Sequence, residues 1–207
     1  WCGLKEDQLT FAPHAVDNEF FMKDDEKRRQ EALKIREDLG IDPLATVFLF
    51  AGKLETKKQP IELAEAFASL QSQAHLIYVG SGMLEDALKE RFDSNSNIHF
   101  VGFQNQSKMP IWYRVGDVFC LPSRGPGETW GLAVNEALAC GCQVLVSDRV
   151  GCAEDLVKGQ PFGRIIPAQK SSHWADAMRD GSRSHSDGAA IVKYIQNWDP
   201  KRFCTAL

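Results

Sequence analysis

An alternation of short apolar runs with helix-like segments most constrains the fold of this chain. The runs are rich in Val, Ile and Phe and cover residues 45–51, 75–79, 98–101, 117–121 and 143–147. Their apolar residues are continuous, which is typical of strands covered on both faces. The intervening segments have helical spacing and cover residues 60–70, 83–92, 107–114 and 130–140. This order predicts an α/β fold with a doubly wound, mostly parallel sheet.

The two ends of the chain give weaker signals. Residues 24–39 predict a charged helix ahead of the first strand, ended by Gly40. Beyond Gln169 the pattern favours helices over residues 171–178 and 189–198, with a loop at residues 181–188. A chain of 207 residues with 43% apolar content can bury one good core. We therefore expect a single domain over residues 1–207.

Charge and cysteine content argue against several classes of partner. The net charge is −4 and the Lys and Arg residues are dispersed, so no broad positive field is available for nucleic acid or an acidic membrane surface. The six cysteines lack CxxC pairs and His partners at zinc spacing, which favours buried reduced thiols over a metal site. No apolar run approaches the ~20 residues that span a bilayer. We expect a cytoplasmic chain and, since it starts at Trp1, a fragment of a longer protein.

Turn residues follow four consecutive predicted strands, at residues 52–60, 80–82, 102–103 and 122–128. Open parallel sheets bind ligands beyond the carboxyl ends of their strands, so we expect these turns to meet at one edge. The first turn carries Lys53, Lys57 and Lys58, and Gly131 opens the helix predicted over residues 130–140. Any one of these lysines alone could be a solvated loop charge. Together with a helix N-terminus, they favour a site for a diphosphate.

Glu128 and Glu136 lie on either side of the start of that helix. At 1.5 Å per residue they are separated by roughly 12 Å along the helix axis. A carboxylate accepts two hydroxyl hydrogen bonds at once, so this span suits the two polyol ends of a sugar nucleotide. Glu136 has mostly apolar neighbours and should therefore have a ligand or a fixed donor. Glu128 alone could be explained as a charge that favours the helix dipole.

Short motifs in fixed order resemble those of retaining GT-B glycosyltransferases, and more narrowly the group 1 family that is like glycosyltransferase family 4. They are G-K-L-x-x-x-K, V-G-S-G, V-G-F, L-P-S and E-x7-E, at residues 52–58, 79–82, 101–103, 121–123 and 128–136. The resemblance extends over residues 11–167. It implies a Rossmann-like, donor-binding C-terminal half of a two-domain enzyme, whose N-terminal acceptor domain is absent from this chain.

The resemblance also assigns roles to individual residues. It places Lys53 and Lys58 at the donor diphosphate, Glu128 at the transferred sugar and Glu136 at the ribose. Further donor-binding positions are Gly52, Phe103, Lys108, Trp130, Gly131 and Leu132. The chain departs from the family pattern at two positions. Lys53 replaces an arginine, which removes a bidentate donor, and Gln59 stands where the family commonly has glycine.

The implied reaction moves a hexosyl group from a nucleoside-diphosphate sugar to an acceptor such as a growing glycan or a lipid-linked sugar, with retention. No D-x-D triplet occurs, so neither a metal nor another cofactor is required. The fragment should be nearly inactive without its N-terminal half, to which any peripheral membrane association would belong. The first alternative is a nucleotide-sugar epimerase of the same architecture, distinguished by its products from donor alone. A pyridoxal-phosphate phosphorylase and a receiver-like module are further alternatives. The receiver-like module would need an acidic cluster after the first strand.

Overall fold

A parallel six-stranded sheet forms the centre of the computed structural model, which describes residues 3, 5, 8–23, 26–125, 127–168, 171–181, 187–201 and 204. Its strands are β1 (Val47–Ala51), β2 (His75–Val79), β3 (Ile98–Phe100), β4 (Val118–Leu121), β5 (Gln143–Ser147) and β6 (Gly163–Ile166). Their order is β3-β2-β1-β4-β5-β6. The chain therefore reverses its direction of travel across the sheet between β1 and β4, where doubly wound folds open a crevice.

Helices cover both faces of this sheet. They are α1 (Asn18–Met22), α2 (Glu26–Asp38), α3 (Pro60–Ala68), α4 (Glu85–Phe92), α5 (Met109–Val115), α6 (Leu132–Ala139), α7 (Ser171–Gly181) and α8 (Gly188–Ile195). One face packs against α1, α2, α5, α6 and α8, and the other packs against α3, α4 and α7. None of the helices in the described part of the chain has the length and apolar character that crossing a bilayer requires.

The covering on both faces explains the continuous apolar runs. In β1, Val47 and Leu49 contribute to one hydrophobic cluster while Phe48 and Phe50 contribute to the other, and all four side chains are fully buried. Successive side chains of a strand point to opposite faces, so a strand covered on both sides cannot alternate apolar with polar residues. The doubly wound parallel fold predicted from the sequence is confirmed.

Several predicted bounds need correction. The bounds of β2 and β5 agree with the prediction, but β6 and the short α1 were not predicted. β6 is an edge strand in which only Ile166 is fully buried and Arg164 is exposed, so it lacks the apolar run that marks the inner strands. Residues 24–25 of the predicted first helix, and residues 182–186 of the predicted loop, lie outside the described residues. Gly181 and Gly188, also predicted in that loop, are helical.

Glycine turns bring the carboxyl ends of three neighbouring strands into contact. The Gly52 amide donates to the Val79 carbonyl at 2.9 Å, and the Gly80 amide donates to the Gly102 carbonyl at 2.8 Å. A Cβ atom at Gly80 would lie 2.0 Å from the Gly52 carbonyl oxygen, so only glycine permits this approach. The turns after β1, β2 and β3 therefore share one edge of the sheet, as the sequence predicts.

Candidate functional site

Lys58, Glu128 and Ser123 form a polar cluster at the carboxyl edge of the sheet. Lys58 ends a 3₁₀ turn, Thr56–Lys58, after β1, and its ammonium forms an ion pair with Oε2 of Glu128 in the loop after β4. The Ser123 hydroxyl donates to the same oxygen at 2.8 Å. The Lys58 and Glu128 side chains are only 16% and 12% exposed. Within the described residues, the other oxygen of Glu128 accepts no hydrogen bond.

Helix α6 begins at Leu132, shortly after Glu128, and the position that precedes it requires glycine. Gly131 is the residue that precedes its first turn, with φ +95° and ψ +57°, and no side chain among the described residues caps this helix. A Cβ atom at Gly131 would lie 2.8 Å from Cγ1 of Val150 and 3.1 Å from Cδ2 of Leu121. Uncapped amides and the positive end of the helix dipole are therefore available beside the ion pair, an arrangement that favours an anion.

The segment before α6 is held by the loop after β5. The Gly151 amide donates to the Glu128 carbonyl at 3.1 Å, and the Cys152 amide donates to the Trp130 carbonyl at 2.9 Å. The indole of Trp130 is buried and donates to Oδ1 of Asn135 at 2.9 Å. The Trp130 side chain thus fixes the start of the helix, and the Trp130 carbonyl already accepts a hydrogen bond from Cys152.

Glu136 has the fixed donor that its apolar surroundings require. The Tyr113 hydroxyl, on α5, donates to Oε2 of Glu136 at 2.7 Å, and Tyr113 itself is 1% exposed. Burial raises the pKa of Glu136 above its ordinary value, while the hydrogen bond from Tyr113 acts in the opposite direction. Glu136 lies roughly 8 Å beyond Gly131 along α6 at 1.5 Å per residue. One of its oxygens is occupied by Tyr113, and the carboxylate is half-buried.

The remaining predicted lysines lie outside this cluster. Lys53 is exposed and pairs with none of the residues that the structure describes, whereas Lys57 forms an exposed ion pair with Glu55 at 3.2 Å. Lys108 pairs with Glu31 on α2 at 3.3 Å. The structure therefore unites Lys58 with Glu128 and leaves Lys53 free to turn towards a ligand, while Lys108 points to α2.

Three further predicted positions are near or on the open edge. A Cβ atom at Gly52 would lie 4.0 Å from Cε of Lys58, which places this glycine directly beside the ion pair. Phe103 follows β3 and is 72% exposed, and Leu132 in the first turn of α6 is 43% exposed. Both side chains are therefore exposed to solvent.

Sequence reasoning assigned no role to Ser123 or Tyr113. Ser123 belongs to the L-P-S motif directly after β4, so its position at the carboxyl edge of the sheet was a usable signal. Tyr113 lies inside α5, and only the packing of α5 against α6 reveals that it contacts Glu136. The cysteines predicted to be unreactive behave accordingly: burial raises the pKa of Cys140 to about 12 and that of Cys142 well above its ordinary value, so both stay protonated at neutral pH.

A cavity of about 960 Å³ lies at the opposite edge of the sheet. Its lining includes Gly116 and Asp117, which precede β4, and Gly141, which precedes β5. None of the predicted site residues lines it. The polar cluster and the cavity are therefore separate features at the carboxyl and amino ends of the strands.

Comparison with known proteins identifies similar chains. Residues 31–198 match the family described as glycosyl transferases group 1. The chain is 29% identical over 190 residues to a D-inositol 3-phosphate glycosyltransferase of Jonesia denitrificans, an alignment that covers 79% of this chain and 43% of that protein. The curated relatives include a second such enzyme, from Arthrobacter sp., at 30% identity over 95% of this chain and 48% of that protein. The chain thus spans about half the length of the curated relatives it matches.

Solved structures share the fold. Anabaena Alr3699/HepE, crystallised with UDP and glucose, has a TM-score of 0.76 at 20% identity, over 92% of this chain and 53% of that chain. The C-terminal domain of a group 1 glycosyl transferase, LpcC of Francisella tularensis, has a TM-score of 0.67 at 22% identity. That alignment covers 92% of this chain and 97% of the solved domain.

Proposed function

The chain belongs to the glycosyl transferases group 1, and on that premise we propose that the carboxyl edge of its sheet binds the nucleoside diphosphate of a sugar donor. The observation that carries the proposal is the Lys58–Glu128 ion pair beside the uncapped start of α6. A nearly buried cation next to helix amides suits a phosphate, and a carboxylate beside it suits sugar hydroxyls. The UDP and glucose in the Anabaena structure support this ligand class by analogy.

Lys58 and Lys53 have the role of neutralising the leaving diphosphate. Departure of the diphosphate leaves an oxocarbenium-like sugar, so positive charge near the leaving oxygens lowers the barrier. Lys58 is already fixed at the edge, and the exposed Lys53 has the freedom to reach a bound phosphate. Amides at Gly131 and Leu132 add further donors. We propose that these groups bind the diphosphate without a resident metal, and that the anomeric configuration is retained.

In this proposal, Glu128 and Glu136 accept hydrogen bonds from opposite ends of the donor. Glu128 accepts hydrogen bonds from the transferred hexosyl group, since one of its oxygens has no partner among the described residues. Glu136 accepts from the ribose hydroxyls, with Tyr113 fixing its orientation. Phe103 and Lys108 contact the base in this proposal, for which Lys108 has to leave its ion pair with Glu31.

The acceptor and its domain lie outside this chain in the proposal. The chain aligns with 97% of a solved C-terminal domain, but with about half of the full-length relatives, which supports a missing N-terminal acceptor domain. That domain would supply contacts to a glycan or lipid-linked acceptor, and the chain alone would transfer little sugar. Cys120, Cys140, Cys142, Cys152 and Cys204 are free thiols. We propose a cytoplasmic location for the protein.

Calorimetry with UDP, GDP and ADP tests the proposal. We expect one of the three to bind, and Lys58→Ala and Glu136→Ala each to weaken that binding by about 1 to 3 kcal/mol, the scale of a lost charge-assisted contact. Lys89→Ala is the matched control, because Lys89 pairs with Glu85 on α4, away from the site. Unaltered affinity in both site variants would place the ligand elsewhere.

The epimerase alternative is separated by products. Donor incubated with the full-length enzyme yields an isomerised sugar nucleotide from an epimerase, and a glycosylated acceptor plus free nucleoside diphosphate from a transferase. No contact among the described residues favours the epimerase.

A further inference from the structure

Gln59 has a backbone conformation that normally selects glycine. It directly follows Lys58 and precedes α3, with φ +50° and ψ +45°. This left-handed region is unfavourable for residues that carry a Cβ atom. Gln59 is also only 5% exposed, so an uncharged polar amide is buried at a strained position. Such a combination persists when the side chain makes contacts that glycine cannot.

The Gln59 amide joins three loops at the carboxyl edge. With its nitrogen oriented towards the two nearby carbonyls, it donates to the Pro122 oxygen at 2.9 Å and to the Ala168 oxygen at 3.0 Å. Pro122 lies in the loop after β4 and Ala168 lies just after β6, while Gln59 belongs to the loop after β1. Both carbonyl groups belong to buried residues, and buried carbonyl groups are generally hydrogen-bonded.

These partners lie next to the polar cluster. Gln59 adjoins Lys58, and Pro122 adjoins Ser123, the residue that donates to Glu128. A backbone hydrogen bond from the Arg124 amide to the Lys57 carbonyl, at 2.8 Å, joins the same two loops. The Gln59 amide therefore links the loop that carries Lys58 to the loop that carries Glu128.

We propose that Gln59 is a positioning residue that fixes Lys58 for the donor diphosphate, an inference that rests on the proposed function. The left-handed turn places Gln59 so that its side chain reaches both carbonyls. The resulting cross-link sets the distance between the loop carrying Lys58 and the loop carrying Ser123 and Glu128. Lys58 then meets the phosphate without a rearrangement of either loop.

The chain provides a matched control in Gln71. It has the same left-handed backbone, with φ +48°, but its side chain is exposed in the turn after α3. Gln71→Gly therefore relieves the same strain without breaking the cross-link. Gln59→Gly relieves the strain and also removes both hydrogen bonds.

Thermal unfolding and UDP calorimetry on the full chain compare the two variants, with GDP or ADP used if that nucleotide is the one bound. Gln71→Gly should melt at or slightly above the wild-type temperature and bind the nucleotide with unchanged affinity. Gln59→Gly should melt below Gln71→Gly and bind about tenfold more weakly, a loss of about 1.4 kcal/mol. In a Lys58→Ala background, Gln59→Gly should weaken binding less than twofold, because the positioned cation is gone.

The coupling separates positioning from general stability. A purely structural role would lower the melting temperature but reduce affinity by the same factor with and without Lys58, and that result would overturn the inference. Wild-type affinity in Gln59→Gly would also overturn it. If Gln59→Gly does not fold, Gln59→Met keeps the side-chain volume without its donors and should show the same loss of affinity and the same coupling. Failure of the wild-type chain to bind UDP, GDP or ADP would refute the proposed function itself.

Discussion

Replacing Glu136 with glutamine should weaken donor binding and stabilise the empty protein. In the wild type the Tyr113 hydroxyl occupies one carboxylate oxygen at 2.7 Å, which leaves lone pairs for two ribose hydroxyls. In Glu136→Gln the amide oxygen can still accept from Tyr113. Its nitrogen is then the group that faces the ribose, and it cannot accept a hydrogen bond from either hydroxyl.

The size of the effect follows from the hydrogen bonds exchanged. A charge-assisted hydrogen bond exceeds a neutral one by about 1 kcal/mol, and two hydroxyls are involved, so we expect a loss of about 2 kcal/mol in UDP binding. That corresponds to an affinity about 30-fold lower. Glu90→Gln on α4 is the control, since Glu90 is an exposed acid outside the site.

The pH dependence has a definite sign. Burial raises the pKa of Glu136, so the folded protein holds this proton more tightly than the unfolded chain. The Glu136 carboxyl group stabilises the folded protein most below its pKa in the unfolded chain, about 4.3. This stabilisation is lost as the pH rises through the pKa of Glu136 in the folded protein. Glutamine does not titrate, so the melting temperature of Glu136→Gln relative to wild type should increase with pH. Wild-type UDP affinity should fall as the solution is acidified through the folded pKa, and the variant should lack that step.

Calorimetry and thermal unfolding test both statements, over a range from about pH 4.5, which is close to the ordinary glutamate pKa, to about pH 8. Tyr113→Phe removes the contact that lowers the pKa of Glu136, so its acid loss of affinity should begin at a higher pH than in wild type. Equal UDP affinities of wild type and Glu136→Gln across this range would refute the assignment of Glu136 to the donor.

The other predictions concern the Lys58–Glu128 ion pair, Lys53 and the close backbone contact at Gly151. Glu128→Ala should strengthen binding of UDP, which carries no sugar, by about threefold to tenfold, or ~0.7 to 1.4 kcal/mol, since it releases Lys58 for the phosphate; weaker UDP binding in calorimetry would contradict this. Lys53→Arg should raise UDP affinity several-fold through a bidentate phosphate contact, and an unchanged titration would show that residue 53 does not reach the diphosphate. Gly151→Ala should destabilise by about 1 to 3 kcal/mol because its Cβ atom would lie 1.9 Å from a backbone oxygen. Gly188→Ala, whose nearest contact would be 3.5 Å, should melt like wild type.

The sheet was predictable because its signals are local. Strands such as β1 and β4 are apolar and buried throughout, so their residues alone mark both the strand and its double covering. β6 escaped prediction because an edge strand is half-exposed and tolerates Arg164 within it. Its strand character comes from pairing with β5, which is a tertiary contact.

The candidate site was predictable in part. The position of Lys58 and Glu128 at the ends of neighbouring strands could be inferred from strand order, because parallel strands bring their carboxyl ends to one edge. The donor to Glu136 could not be identified, since Tyr113 reaches it only through the packing of α5 on α6. The Gln59 contacts were equally hidden: the sequence shows an unexpected glutamine, but its partners come from loops after β4 and β6.

The Lys58–Glu128 pair is better explained by function than by stability. Removing two charges from water costs several kcal/mol, which their attraction only partly offsets, so a nearly buried pair is weak evidence of stabilisation. In the proposed function, Lys58 and Glu128 compensate each other's charge before the donor binds. The diphosphate then pairs with Lys58, and Glu128 is released to accept hydrogen bonds from the sugar, so that Lys58 has an ionic partner and Glu128 has a hydrogen-bond donor in either state. A pair arranged in this way should be destabilising relative to an apolar pair of similar volume yet necessary for donor binding, and that opposition is what distinguishes a ligand site from a structural salt bridge.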